Sequence, residues 1–126
     1  MYSEVVKMGI EQKVMNDIKN SAIVDIQPNV FYYDRPESQT GLFDYIRFFI
    51  LDEKRDLYYA NKHHATVYHI RVDIMATNDY TALSDVVVRT LEKKNYHLID
   101  TDREVYVKGD IKIYNKSLIF TFTKYL

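Results

Sequence analysis

The chain has 126 residues and a mass of 15.0 kDa, which suits a single domain able to bury about two thirds of its unfolded surface without covalent staples. It contains no cysteine, which excludes a disulfide framework, a thiolate nucleophile and any cysteine-containing metal site. The 17 Lys and Arg against 18 Asp and Glu leave a net charge of −1, so nothing marks it as a basic nucleic-acid-binding module.

The first expected element is a helix from Ser3, a capping residue, to about Asn20. Val6, Ile10, Val14 and Ile18 recur every four residues along it, with Val5 and Met15 widening the stripe. The opening MYSEVVKMGIEQK has no basic region followed by an apolar run, and no stretch approaches the roughly eighteen apolar residues of a membrane span; the expectation is a soluble, unprocessed protein. Ala22 to Ile26 reads as β-like and Val30 to Tyr33 as a short strand closed by Asp34-Arg35-Pro36. Pro36 to Gly41 is a polar loop.

Leu42 to Leu51 is apolar on both alternating faces apart from Asp44 and Arg47, as in a strand covered on both sides. A monomer with helices on one side only would leave the other set bare, which hints at oligomerisation. Asp52 to Asp56, with both signs in five residues, reads as a solvated turn or extended hairpin tip that Leu57 to Ala60 prolongs.

The plainest stretch is His64 to Lys94. From Thr66 to Ala76 the residues alternate, with Tyr68, Ile70, Val72, Ile74 and Ala76 on a core face and His69, Arg71 and Asp73 on a wet one. At Thr77-Asn78-Asp79 the period changes, and Leu83, Val86, Val87 and Leu91 trace the apolar stripe of a helix. Asn78 or Asp79 is placed to accept from its first N–H groups, and Lys93-Lys94-Asn95 suits its end. Beyond it are expected a strand from Tyr96 to Thr101, a turn at Asp102 to Glu104 and a short strand from Val105 to Val107. A turn at Lys108 to Asp110 then leads to a hairpin of Ile111–Tyr114 and Leu118–Tyr125 around Asn115 to Ser117. This order predicts one α+β domain over residues 1–126, a mostly antiparallel sheet with two amphipathic helices packed on it.

No constellation of catalytic residues stands out. His63, His64, His69 and His97 are the candidate metal ligands, but only His69 is clearly fixed on a strand, beside Arg71, whose charge would repel a cation. The acids fall in turns or on wet helix faces, Ser84 and Ser117 lie in no nucleophile elbow, and none of the 3 glycines belongs to a phosphate-cradling loop. The expectation is a non-enzyme without cofactor or metal. The 12 Tyr beside 6 Phe fit half-exposed sheets and protein interfaces equally well. The residues expected at an oligomer or partner interface are Tyr45, Arg47, Phe49, Tyr58, Tyr59, His69, Arg71 and Asp73.

Four segments, IEQKVMNDIKN, VFYYDRPESQTGLFDYIRFFIL, YHIRVDIMATNDYTALSDVVVRTLEKK and LIFTFTKY, together resemble the tail-terminator (tail-completion) proteins of long-tailed bacteriophages over about residues 10 to 125. The strand HIRVDIMA followed at once by a polar corner and a Leu/Val-rich helix carries most of that resemblance, which rests on fold signatures and not on catalytic motifs. It implies a structural protein that assembles as a ring, typically a hexamer, ends growth of the tail tube and faces the head connector. Its implied partners are itself, the tail-tube protein and a head-completion or connector protein, with DNA only as cargo and no membrane. Its implied place is the tail–head junction of the virion, assembled in the host cytoplasm. The charged DEKRD segment and the Tyr-rich strands depart from many relatives. Segments 36–41 and 52–63 are expected to order on contact with the tube. The alternatives are a head-to-tail joining protein and a small intracellular ligand-binding or regulatory domain.

Overall fold

A computed structural model describes residues 9–59 and 62–125; the side chains of residues 55–59 and 62–64 lie outside that description. The elements in order are helices α1 (Gly9–Ile18) and α2 (Ser21–Val24), strand β1 (Val30–Tyr32), a 3-10 turn (Glu37–Gln39), and strands β2 (Tyr45–Tyr59) and β3 (Lys62–Ala76). Helix α3 (Thr81–Glu92) and strands β4 (Tyr96–Lys108) and β5 (Ile111–Tyr125) follow. The five strands form one sheet in the order β1-β2-β3-β5-β4, antiparallel except for the β1–β2 pair. This is the expected α+β architecture.

All three described α-helices pack on one face. Val14 and Ile18 of α1, Ile23 of α2, and Leu83, Val87 and Leu91 of α3 meet Ile46, Phe48, Ile70, Val72, Ile74, Leu118 and Phe120. Every one of these sits at a position of the period that its element dictates, 3.6 or 2. Full burial of a Val or Leu here contributes about 1.5–3 kcal/mol. The corner before α3 forms as its composition dictates: Asp79 Oδ1 accepts from Thr81 N at 2.9 Å and from Thr81 Oγ1 at 2.6 Å. These bonds hold the Asp79 carboxyl below its ordinary value. Asn95, just past the helix, takes φ +70, the left-handed conformation that asparagine tolerates.

Several expected boundaries are corrected. Ala22–Ile26 is not β-like: Ser21–Val24 is one helical turn, started by Asn20 accepting from Ala22 N at 2.9 Å. The expected start of the first helix at Ser3 lies outside the described residues. Asp52–Asp56 is neither turn nor tip but runs within β2, paired residue by residue with β3 after a bulge between Ile50 and Asp52. The supposed turns at Asp102–Glu104 and Asn115–Ser117 are both continuous strand, paired to each other as Asp102↔Ser117, Arg103↔Lys116 and Glu104↔Asn115. Cross-strand pairing overrides the local polarity that reads as turn, because each polar side chain needs only one face of the strand. The β4–β5 hairpin closes at the expected Lys108–Asp110 turn, where Gly109 takes φ +63, the conformation glycine adopts without Cβ strain.

Candidate functional site

The sheet face opposite the helices is where six of the eight expected interface residues lie: Tyr45, Arg47, Phe49, His69, Arg71 and Asp73. Register places Phe31, Arg47, Asp73, Ser117 and Asp102 in one row across β1, β2, β3, β5 and β4. The next row holds Phe49, Arg71, Ile119 and Asp100. At the centre lies Asp73, fully buried despite its position on the expected wet face. Its Oδ2 accepts from Arg47 Nε at 3.0 Å, and its Oδ1 accepts from Arg71 Nε at 2.8 Å and from Ser117 Oγ at 2.7 Å. Arg71 Nη2 donates to Ser117 Oγ at 3.1 Å, which closes the ring of bonds. A buried carboxylate between two guanidinium groups is a network whose members fix one another.

The network gives the open face fixed arginines. Burial works against the charge on Arg47, but the hydrogen bond and field of Asp73, with Tyr45 and Asp34 adding, more than offset it and raise its pKa. Its Nη1 also lies 3.5 Å from Asp34 Oδ2, and its guanidinium sits 5.4 Å from the Phe49 ring centre. Tyr33 meets Phe49 edge-on at 5.3 Å and is 64% exposed. Its φ of +75 is a strained conformation for a bulky residue, held by its N–H donating to Phe48 O at 2.9 Å. Arg47, Phe49, Arg71 and Tyr33 thus form one patch of aromatic rings and carboxylate-paired arginines.

Tyr45 and Asp73 do not belong to that surface. Tyr45 is 1% exposed because a second, smaller cluster of Tyr45, Met75 and Ile113 is sealed by Phe31, Leu42 and Phe43. Its hydroxyl accepts from Arg35 Nη1, and Arg35 Nη2 reaches Thr40 O at 3.1 Å, which ties the segment after β1 under the sheet. One end of the open face is therefore covered by the chain itself, and both residues act from within. His69 pairs through Nδ1 with Asp52 Oδ1 at 2.6 Å, well along the face from Asp73. Tyr58 and Tyr59 stand opposite His63 and Lys62 in the β2–β3 hairpin; their side chains, and those of His63 and His64, lie outside the described residues. His97 is exposed on β4, and among the described residues no three potential ligands converge on a metal position.

No family model matches the chain, and no curated protein matches it. The geometry of its surfaces therefore carries the functional argument.

Both flanks of the sheet matter to that argument. Strand β1 covers β2 only from Ile46 to Phe48, so among the described strands the outer edge of β2 beyond Phe48 has no partner. The other flank, β4, is expected from the sequence as two short strands, Tyr96–Thr101 and Val105–Val107, split by a turn at Asp102–Glu104 that the structure replaces with continuous strand. Its period-two pattern was nevertheless present: Asp100, Asp102, Glu104 and Tyr106 point one way, and Thr101, Arg103, Val105 and Val107 the other. Between α3 and this strand lies an open groove of about 540 Å³ lined by Ser84, Arg89, Leu98 and Lys116 among others. No described helix is long and apolar enough to cross a membrane.

Proposed function

We propose that this chain is a structural subunit of a phage tail that assembles as a ring, a hexamer on the tail-terminator resemblance, ends growth of the tail tube and meets the head connector. The observation that supports this is that, among the described residues, the sheet is one-sided: three helices cover one face, while the other presents Tyr33, Arg47, Phe49 and Arg71 beside a β2 edge that no described strand caps. Arginine and aromatic side chains held rigidly in place are the groups that dominate protein interfaces. A contact between this patch and a different patch on the next subunit is heterologous, and such contacts close into a ring when the rotation closes. DNA would pass through as cargo, without base recognition.

The segments at 36–41 and 52–59 enter this assembly already folded. The first is organised by its 3-10 turn and by Arg35, and the second is paired strand. The decisive experiment is a mass-resolved size measurement of the protein alone and with tail-tube protein. A ring of six subunits, alone or paired with a second ring, that binds tube ends is the expected result. Monomer under both conditions sinks the reading, and capture of portal complex in place of tube would move the protein to the head-completion layer.

A further inference from the structure

Strand β4 is the outermost strand on its side, and among the described residues nothing pairs with its far edge. Proteins blunt such edges with lysine, proline, bulges or charge, since unpaired N–H and C=O groups recruit other strands. Here the bulge and the acids are confined to one half, and a single lysine, Lys108, ends the other. The bulge between Leu98 and Asp100 and the acids Asp100, Asp102 and Glu104 all lie in the first part of the strand. The second part is regular through Lys108 and leaves Val105 58% and Val107 69% exposed.

We infer that a second copy of this chain covers this edge, β4 pairing antiparallel with β4 about a two-fold axis at Val105 and joining two five-stranded sheets into one. The strand is self-complementary in that register. Val105 faces its own copy, Glu104 faces the hydroxyl-bearing Tyr106, and Asp102 faces Lys108, all on matching faces because β4 has no bulge after Asp100. Arg103 faces Val107, where its aliphatic stem covers the valine. Lys108 already stands on the helix-free side, 5.7 Å from the Phe43 ring centre, and so on the side that Asp102 shares. An axis at Glu104 would set a carboxylate against itself, and one at Tyr106 would shorten the paired stretch to Glu104–Lys108. No like charges meet in the register at Val105.

This contact does not rest on the tail-cap reading. An isologous contact closes on itself and leaves the β2 edge and the arginine patch free; made together with a six-fold ring it would pair two such rings into twelve subunits.

The test uses the full chain with single cysteines. Directly opposed residues in an antiparallel pair have Cα atoms about 4.5–5.5 Å apart, within disulfide reach. Val105→Cys is therefore expected to oxidise rapidly to a covalent dimer. Thr101→Cys, displaced from its counterpart by about 25 Å along the paired strands, is expected to form no disulfide crosslink under the same conditions. Lys108→Glu puts two acids face to face on an exposed site where folding is not at stake, and should weaken self-association at least ten-fold by sedimentation equilibrium. The charge exchange Asp102→Lys with Lys108→Glu should restore it. Equal crosslinking at 101 and 105, or self-association unchanged by Lys108→Glu, overturns the inference. A Val105→Cys dimer from protein that never caps a tube would uphold it while removing the tail-cap reading, so the two failures are distinguishable.

Discussion

At the scale of single residues, Asp73 decides more than its position suggests. A carboxylate with no exposure, two arginines and a serine on it is stabilising only while every member is present, because each cation left behind loses the partner that offsets its burial. Asp73→Asn is expected to cost about 3 kcal/mol, measured by urea unfolding at neutral pH. Replacing Arg47, Arg71 and Asp73 together by apolar residues of similar size should cost much less, since no unpaired charge is then buried. If the single change were as mild as the triple one, Asp73 would not be the keystone of the open face. Tyr33, just past β1, belongs to the same scale: it combines a positive φ with wide exposure.

At the scale of elements, the helix layer is fastened to the sheet by more than its apolar stripe. Tyr96 at the start of β4 is 1% exposed and donates its hydroxyl to Asp17 Oδ2 of α1 at 2.7 Å, while Lys13 bonds the same oxygen at 2.7 Å. Burial, then the hydrogen bond to Asp17 and its negative field, push the Tyr96 phenol far above its ordinary value. Because the folded value is the higher one, the neutral phenol favours the folded state. Its contribution is complete below about pH 10 and is lost as pH rises above the unfolded value. Tyr96→Phe should therefore lower stability by about 1–2 kcal/mol at pH 8 and flatten the alkaline decline above pH 10, as read from urea midpoints across that range. An alkaline limb identical to that of the unaltered protein would show that the bond to Asp17 does not couple α1 to β4.

At the scale of the whole molecule, the asymmetry of the sheet is what assembly has to use. One face is sealed by helices, one end of the other is sealed by Phe31, Leu42 and Phe43, and what stays open holds aromatic rings and carboxylate-paired arginines, with Asp100 and Asp102 beside them, next to an edge that no described strand caps. Contacts made through partly exposed Arg47 and Arg71 are screened by salt. Ring formation is therefore expected to weaken several-fold between about 0.1 and 0.5 M salt, whereas the β4 contact, with its valine centre, should change less. Light scattering across a salt series checks both, and a ring indifferent to salt would relocate its interface away from the arginines.

The sequence by itself determined the elements whose periodicity is strong and whose punctuation is local. The β3–corner–α3 unit, the apolar stripes of α1 and α3, and the use of Asp79 and Asn95 at the ends of α3 follow from spacing and capping chemistry alone. Only the tertiary structure decided what polar strand residues do. Asp102–Glu104 and Asn115–Ser117 look like turns until each is seen to pair with the other, and Asp73 looks wet until Arg47 and Ser117, distant in sequence, close over it. A polar side chain chooses between water and a partner, and that choice is made by which strand lies alongside, which no local window contains.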